Sequence, residues 1–210
     1  MLAVLGDYYH ASDHLALALM ATSVPADLET TVIRYPDPVN PHDLAGYDLL
    51  LLSSMGRWRP RESEATWFDA DSQQRLERHI ASGAGLLLLH SGTASHPVDG
   101  PLRAVAGGHF LHHPPEHPPV TVTPTARHPI TEGVAPFTHP DEHYFMDVDP
   151  HATHLLTAVS SLGEQPAGWC RNHGSGRVAA VIPGHTREML EEPAFRRLLA
   201  NAIRWSLGDS

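Results

Sequence analysis

The segment Gly83-Ala84-Gly85-Leu86-Leu87-Leu88-Leu89-His90-Ser91-Gly92-Thr93 decides the fold of this chain. Its four consecutive leucines are typical of a strand that is buried on both faces of a parallel sheet, and we predict this strand over residues 85–90. The preceding residues 66–82 predict a helix that ends at Gly83, a residue type suited to a helix C-terminus. Polar residues follow the strand directly. Parallel sheets bind their ligands at this end, the carboxyl end of the strands.

The N-terminal segments extend this pattern. We predict further strands over residues 2–5, 28–34 and 47–53. Helical spacing of apolar residues predicts a helix over 13–22, with Ser12 or Asp13 as its N-cap. We interpret the first 90 residues as the order β-α-β-α-β-α-β, which predicts an α/β fold with a doubly wound, mostly parallel sheet and helices on both faces.

The second half of the chain is less regular. Residues 107–150 are rich in proline, histidine and threonine, and they predict an antiparallel or loop-rich excursion. Strands are expected to return at 153–159, 166–171 and 176–182. An apolar stripe predicts a last helix that begins near Pro193. We expect residues 1–210 to form a single domain.

Composition excludes several classes of function. The net charge of −10 argues against a nucleic-acid partner and against a polybasic membrane anchor, because both need a basic face. All 14 basic residues are arginine, which excludes a Schiff-base lysine and a phosphate-loop lysine. A single cysteine, Cys170, excludes an internal disulfide and a cysteine-based zinc motif. No signal-like start or bilayer-length apolar run is present, so we expect a cytoplasmic protein.

The 17 histidines are unusual, and three of them follow predicted strands. His10, His90 and His185 come from distant parts of the chain, yet the carboxyl ends of parallel strands meet at one edge. A shared site at this edge is therefore predicted, although any single histidine could instead be structural. Glu142 lies beside His143; if both are on a regular strand they point to opposite faces, and we favour Glu142 pointing inward.

These positions give two sets of candidate site residues. As acid–base or ligand groups we select His90, Glu142 and His185. As substrate-binding residues we select Tyr8, Tyr9, His10, Arg57, Trp58 and His113. In residues 109–113, strand alternation predicts that His109, Leu111 and His113 share one face and that Phe110 and His112 share the other.

The spacing of the histidines leaves metal binding open. No His-Glu-x-x-His or His-x-His motif is present, so ligands must come from separate segments. A divalent metal such as zinc would draw on the candidates His10, His90, His113 and His185. Nucleophilic catalysis is less favoured: Ser91 lacks a Gly-x-Ser-x-Gly context, and Cys170 is typical of a small buried residue within a strand.

Ordered short motifs run through nearly the whole chain. They include Gly83 to His90, Gly107-Gly108-His109-Phe110, Asp141-Glu142-His143-Tyr144, Pro166-Ala167-Gly168-Trp169 and Gly184-His185-Thr186. In this set the chain resembles the trehalose-utilisation (ThuA-like) family. That resemblance implies a flavodoxin-like sheet of the class I glutamine-amidotransferase type, and a role in the catabolism of trehalose-like disaccharides or keto-sugars.

The resemblance also sets limits on the activity. The amidotransferase relatives carry a cysteine after the strand that ends near residue 90, where this chain has His90-Ser91. Glutamine hydrolysis by that mechanism is therefore not expected. A sugar-specific hydrolase, lyase or isomerase is the leading hypothesis, with a small-molecule sugar as partner. A non-catalytic sugar- or partner-binding module is the alternative, and a histidine-rich metal buffer is a minor one. A homodimer is common in this fold class.

Overall fold

The computed structural model describes residues 1–97 and 99–208, so residues 98, 209 and 210 of the predicted domain lie outside the described part. The strands are β1 (Leu2–Leu5), β2 (Thr31–Arg34), β3 (Leu49–Ser53), β4 (Gly85–Leu89), β5 (Gly108–His112), β6 (Pro119–Pro124), β7 (Phe137–Pro140), β8 (Phe145–Val148), β9 (Thr153–Ser160), β10 (Gly163–His173) and β11 (Gly176–Val181). The α-helices are α1 (Ser12–Met20), α2 (Ala70–Ala81), α3 (Pro101–Ala106), α4 (Arg187–Glu191) and α5 (Pro193–Leu207). In these described ranges, no helix has the length and apolar character needed to cross a bilayer.

The main sheet has the strand order β2-β1-β3-β4-β11-β10-β9-β6-β7. The pairs among β2, β1, β3, β4 and β11 are parallel, and those from β11 to β7 are antiparallel. The predicted α/β fold with a mostly parallel sheet is thereby confirmed. Strand β11 is far from β4 in sequence and lies directly beside it, so the chain segments after both strands reach the same edge of the sheet.

Two apolar cores cover the two faces of the sheet. Side chains alternate along each buried strand: Ala3 and Leu5 of β1 join one core, whereas Leu2 and Val4 join the other. Helices α1 and α5 pack on the first face, and α2 and α3 pack on the second. Burial on both faces explains why the central strands consist of unbroken apolar runs.

Several predicted boundaries were wrong for local reasons. Between β2 and β3 the chain forms only a 3₁₀ turn, Pro41–Gly46, in place of the helix that a strict alternation requires. Helix α2 begins at Ala70 rather than near residue 66, because the Asp69 side chain caps it by accepting the backbone N–H of Ser72. Helix α1 has Ala11 at its N-cap, and the Ser12 hydroxyl donates instead to the Tyr35 carbonyl.

The excursion at 107–150 divides into two parts. Strands β6 and β7 extend the antiparallel edge of the main sheet, whereas β5 and β8 form a separate two-stranded sheet. The β5–β8 register shifts between Phe110 and His112. This shift marks a β-bulge, which breaks the side-chain alternation predicted for residues 109–113. The bulge therefore decides which of these side chains line the cavity described below.

Candidate active site

Four side chains converge at the carboxyl edge of the parallel strands. His10 follows β1, His90 follows β4, and His185 follows β11. Glu142 arrives from the irregular segment between β7 and β8. One ligand atom from each of these four residues lies within 4.8 Å of the others. The sheet topology thus assembles a single centre from segments that are up to 175 residues apart (185 − 10).

The carboxylate of Glu142 is the middle of this centre. Its Oε2 lies 3.2 Å from His90 Nε2, 3.3 Å from His185 Nδ1 and 3.7 Å from His10 Nε2. Its Oε1 lies 3.6 Å from His113 Nε2 and 3.8 Å from His117 Nε2. The side chain is only 8% exposed. Five imidazoles therefore surround one buried carboxylate.

The next residue, His143, points away from this centre. Both of its ring nitrogens are buried without a hydrogen-bond partner, and its ring packs edge-on against Phe145 at 5.5 Å. The segment 141–144 is not a regular strand, but the neighbouring side chains still diverge.

Asp7 fixes the orientation of His10. Its carboxylate accepts a bond from His10 Nδ1 at 2.7 Å, and it also accepts the backbone N–H groups of Tyr9 and Met55. The ring is therefore held with Nε2 toward Glu142. Sequence reasoning missed Asp7, although it lies in the same strand-end loop as His10, where a carboxylate beside a histidine is a usable signal.

His90 and His185 are held by the backbone. His90 has a left-handed conformation with φ +47°, and its Nδ1 lies 2.8 Å from the Ile182 carbonyl. Such a conformation in a non-glycine residue is strained and depends on its surroundings. The loop that carries His185 is held by the buried Asp141, which accepts the N–H groups of Gly184, His185 and Thr186 at 2.9–3.0 Å.

The surroundings of the centre shift the pKa values of its carboxylate and imidazoles in different directions. Burial alone would raise the pKa of Glu142, but the close imidazoles of His10, His185 and His90 outweigh it and hold the pKa well below the ordinary range. Burial also opposes protonation of His10, yet its hydrogen bond to Asp7 and the nearby Glu142 carboxylate raise its pKa to about 9. Burial lowers the pKa of His90. A fixed anion thus lies beside one charged and one neutral imidazole.

A cavity of about 320 Å³ opens onto this centre. Its lining is Tyr9, His10, Met55, Ala94, Ser95, Phe110, His113, Glu142, Tyr144 and His185. The volume is at the lower end of the range for small-molecule sites, about 300–1,000 Å³. Three aromatic rings next to polar groups suit a ligand that is itself partly apolar and partly hydroxylated.

The structure brings five of the predicted site residues to the cavity wall and leaves others outside it. Tyr9, His10, His113, Glu142 and His185 line it, and His90 lies behind Glu142, buried.

Tyr8 is 43% exposed at the rim, where its ring meets Tyr9 edge-on at 5.0 Å and lies beneath the Arg61 guanidinium.

Arg57 and Trp58 do not line the cavity. The Arg57 guanidinium donates to the Ser63 carbonyl at 3.0 Å and pairs with Glu64 at 2.7 Å, so it organises its own loop. Trp58 packs against the core on one face of the sheet. Both residues follow β3 as predicted, but their side chains contact other parts of the protein and do not reach the cavity.

Sequence reasoning did not select Phe110 and Tyr144, which line the cavity, or His117, which lies near Glu142. Phe110 and His113 were predicted on opposite faces, but both line the cavity, with ring centroids 5.8 Å apart, because of the bulge in β5. The Tyr144 ring stacks on the His90 ring with centroids 4.4 Å apart, and Tyr144 lines the cavity. His117 approaches Glu142 from the loop before β6, and the dense histidines at 109–117 were the one sequence signal for it.

Neither candidate nucleophile, Ser91 or Cys170, lines the cavity. The Ser91 side chain is buried in the turn after β4, and Cys170 is buried within β10. Burial raises the pKa of the Cys170 thiol to about 11, which keeps it protonated and unreactive.

Comparisons with known proteins agree with this fold. The family model ThuA, described as trehalose utilisation, matches residues 3–206, and the chain belongs to this family. Membership supports a carbohydrate-related role. A comparison with curated proteins finds no match.

Solved structures show the same architecture. A ThuA-like protein from Parabacteroides merdae ATCC 43184 aligns with a TM-score of 0.74 and 15% identity, over 99% of this chain and 90% of that one. A cytoplasmic protein from Salmonella typhimurium LT2 aligns with a TM-score of 0.68 and 14% identity, over 98% of both chains. A β-galactosidase from Rahnella sp. R3 aligns with a TM-score of 0.63 and 16% identity, over 97% of this chain but 31% of that enzyme. At these identities the likeness concerns the fold alone.

Proposed function

We propose that this member of the trehalose-utilisation family is a sugar-catabolism enzyme that transfers protons on a trehalose-like disaccharide or a keto-sugar. One observation carries the proposal: a buried carboxylate at the wall of a small cavity is surrounded by imidazoles whose pKa values are pushed apart. Neighbouring groups with separated pKa values supply an acid and a base at the same pH.

The carboxylate count favours one reaction type. Of the described residues that line the cavity, Glu142 alone carries a carboxylate. Asp7 and Asp141 lie nearby, but both are buried and accept backbone N–H groups. Most glycoside hydrolases use two carboxylates that flank the bond. The site therefore favours proton abstraction beside a carbonyl, as in an isomerase or lyase, over two-carboxylate hydrolysis. A keto-sugar supplies that carbonyl.

The roles follow from position and pKa. Glu142 has too low a pKa to be an efficient base, so it orients the imidazoles and balances their charge. His185 lines the cavity and accepts the proton from the carbon. The electron pair moves to the carbonyl oxygen, and the His10 imidazolium at the same wall balances the developing charge. Return of the proton to a neighbouring atom completes an isomerisation.

Deuterium exchange tests this chemistry directly. Trehalose, its singly oxidised keto derivatives and free keto-sugars are incubated with the protein in D₂O and followed by proton NMR. We expect deuterium at a carbon next to the carbonyl, and a loss of rate of about 10²- to 10⁴-fold in H185A and in E142Q. The matched control uses the surface pair Glu77 and His173, 2.9 Å apart: E77Q and H173A should keep the full rate.

Three results would overturn the proposal. Saturable sugar binding without exchange or product would indicate a binding module. Cleavage of trehalose without exchange would indicate hydrolysis. Equal loss in the surface-pair variants would show that the effect is not specific to the cavity.

A further inference from the structure

The four converging atoms have the spacing of a metal coordination sphere. Zinc bonds of about 2.0–2.1 Å to nitrogen and oxygen give a tetrahedron with edges of about 3.3–3.4 Å. Glu142 Oε2 lies 3.2 Å from His90 Nε2, 3.3 Å from His185 Nδ1 and 3.7 Å from His10 Nε2. All four atoms fit within 4.8 Å of one another. An ordinary hydrogen-bonded histidine does not need two further imidazoles within 3.7 Å of the same carboxylate oxygen.

In the neutral state of His90, no hydrogen lies between its Nε2 and the Glu142 carboxylate. His90 Nδ1 faces the Ile182 carbonyl, which only accepts, so Nδ1 carries the hydrogen. Its Nε2 in the neutral ring is then a lone pair, and that lone pair faces the lone pairs of Glu142. Two acceptors in contact repel each other unless a cation or an added proton lies between them.

His10 also directs one ring nitrogen at Glu142. Its Nδ1 donates to the Asp7 carboxylate, which directs Nε2 toward Glu142. His10 Nε2 and His185 Nδ1 are buried atoms without a hydrogen-bond partner, and the His10 side chain is 9% exposed. Buried polar atoms without partners are rare and call for a ligand.

We propose that His10 Nε2, His90 Nε2, His185 Nδ1 and Glu142 Oε2 bind one divalent transition-metal ion of the zinc type. Three imidazole nitrogens with one carboxylate suit zinc and neighbouring first-row metals, whereas calcium and magnesium take oxygen ligands. His113, a fourth sequence candidate, is excluded from this set because it faces the other carboxylate oxygen at 3.6 Å.

The surroundings match those of known metal histidines. A ligating imidazole usually donates its second nitrogen to a carboxylate or a backbone carbonyl, which fixes its tautomer. Asp7 does this for His10, and the Ile182 carbonyl does it for His90. Asp141 holds the backbone of the His185 loop. These contacts orient the rings before any ion binds.

The metal deepens the proposed function, since both rest on the same cavity wall. With His10 Nε2 and His185 Nδ1 bound to the ion, the ion in place of the His10 imidazolium would balance the charge that develops on the carbonyl oxygen. Proton transfer by His185 then belongs to the metal-free protein. A bound ion of this class would polarise a sugar carbonyl as a Lewis acid. Metal binding is nevertheless measurable without any substrate, so the two proposals can fail separately.

Metal titration tests the site. Chelator-treated protein spanning residues 1–210 is titrated with Zn²⁺ or Co²⁺ by calorimetry, and bound metal is counted by plasma mass spectrometry after gel filtration. We expect one tight ion per chain. H10A, H185A and E142Q should each weaken binding at least 10-fold, and D7N should weaken it about 10- to 100-fold through the orientation of His10. H139A and H173A remove surface histidines that pair with Glu192 and Glu77, and they should leave the affinity unchanged.

The possible results distinguish the metal site from the acid–base function. No tight ion, or several weak ions whose affinity is equal in H185A and H173A, would overturn the metal site. Because His90 is buried, its variant is not used; folding of the other variants is checked by circular dichroism. Retained deuterium exchange in metal-free protein would leave the acid–base function standing without the metal. Tight binding without exchange on any sugar would leave the metal site standing without that function.

Discussion

The protein contains carboxylate–imidazole contacts in two kinds of place, and the contacts to Glu142 at the cavity are longer than the pairs on the surface. On the surface, Glu77 lies 2.9 Å from His173 and Glu192 lies 2.8 Å from His139. At the cavity, no imidazole comes closer to Glu142 than 3.2 Å. The surface pairs are two-membered and water-accessible, with side-chain exposures of 19–34%. The cavity centre has five imidazoles around an 8% exposed carboxylate.

The difference shows that distance alone does not mark a functional pair. Water screens an exposed pair and offers each partner another hydrogen bond, so its net worth is small. Water does not offer replacement hydrogen bonds to a buried cluster, so its charges and lone pairs must be balanced by the protein, a proton or a ligand. Catalysis or ligand binding is therefore expected where several titratable side chains converge in a buried, low-dielectric environment. Four predictions test this contrast.

The largest effect on stability is expected from Asp141, which supports the centre without touching the cavity. D141A removes the acceptor of three backbone N–H groups in the His185 loop. An unsatisfied buried donor costs about 1–3 kcal/mol, and the Gly184 N–H is buried while those of His185 and Thr186 are part-buried, so the free energy of unfolding should fall by about 2–3 kcal/mol. Urea denaturation measures it. A fall below about 1 kcal/mol would show that water replaces the carboxylate.

The second prediction concerns pH. His10 has a pKa raised to about 9 in the metal-free fold, against 6.5 ordinarily. Its contribution to stability is therefore complete below pH 6.5 and is lost as the pH rises through 9. The difference in unfolding free energy between metal-free wild type and H10Q should shrink over this interval. Denaturation at several pH values measures it, with H173Q as the surface control. A constant difference would contradict the charged pairing at the centre.

Two adjacent histidines give the third test. His113 lines the cavity, whereas His112 is exposed and stacks on Phe145 at 4.5 Å. H113A should raise the KM for the sugar about 3- to 10-fold, the value of one lost hydrogen bond, with little change in H112A. Equal effects in the two variants would mean that the cavity does not bind the substrate.

The smallest effect is expected on the surface. E77Q should change the free energy of unfolding by less than about 1 kcal/mol, because exposed pairs contribute little. The same measurement in high salt should reduce even that difference. A larger loss would break the contrast between the two kinds of pair.

Much of the architecture could be predicted from local sequence. Apolar runs such as Leu86–Leu89 can be satisfied only by burial on both faces, so they fix the parallel strands. The placement of His10, His90 and His185 at one edge then follows from strand direction alone. The family, too, was recognisable from ordered motifs, and the family model confirms it. Localisation in the cytoplasm, a sugar partner without nucleic acid or membrane, and a homodimer stay predictions.

Only the tertiary structure decided how the centre is built. Whether the Glu142 side chain faces the histidines depends on an irregular segment with no periodic pattern, and the sequence favoured that orientation only weakly. The bulge in β5 turned Phe110 and His113 to one side, and Arg57 was drawn to carbonyls of its own loop. Asp7 and Asp141 gained their roles from bonds to the backbone of other residues. Sequence periodicity records which face of an element is buried, because burial repeats along the chain. It does not record the single contacts between distant loops, which form only once the sheet has brought those loops together.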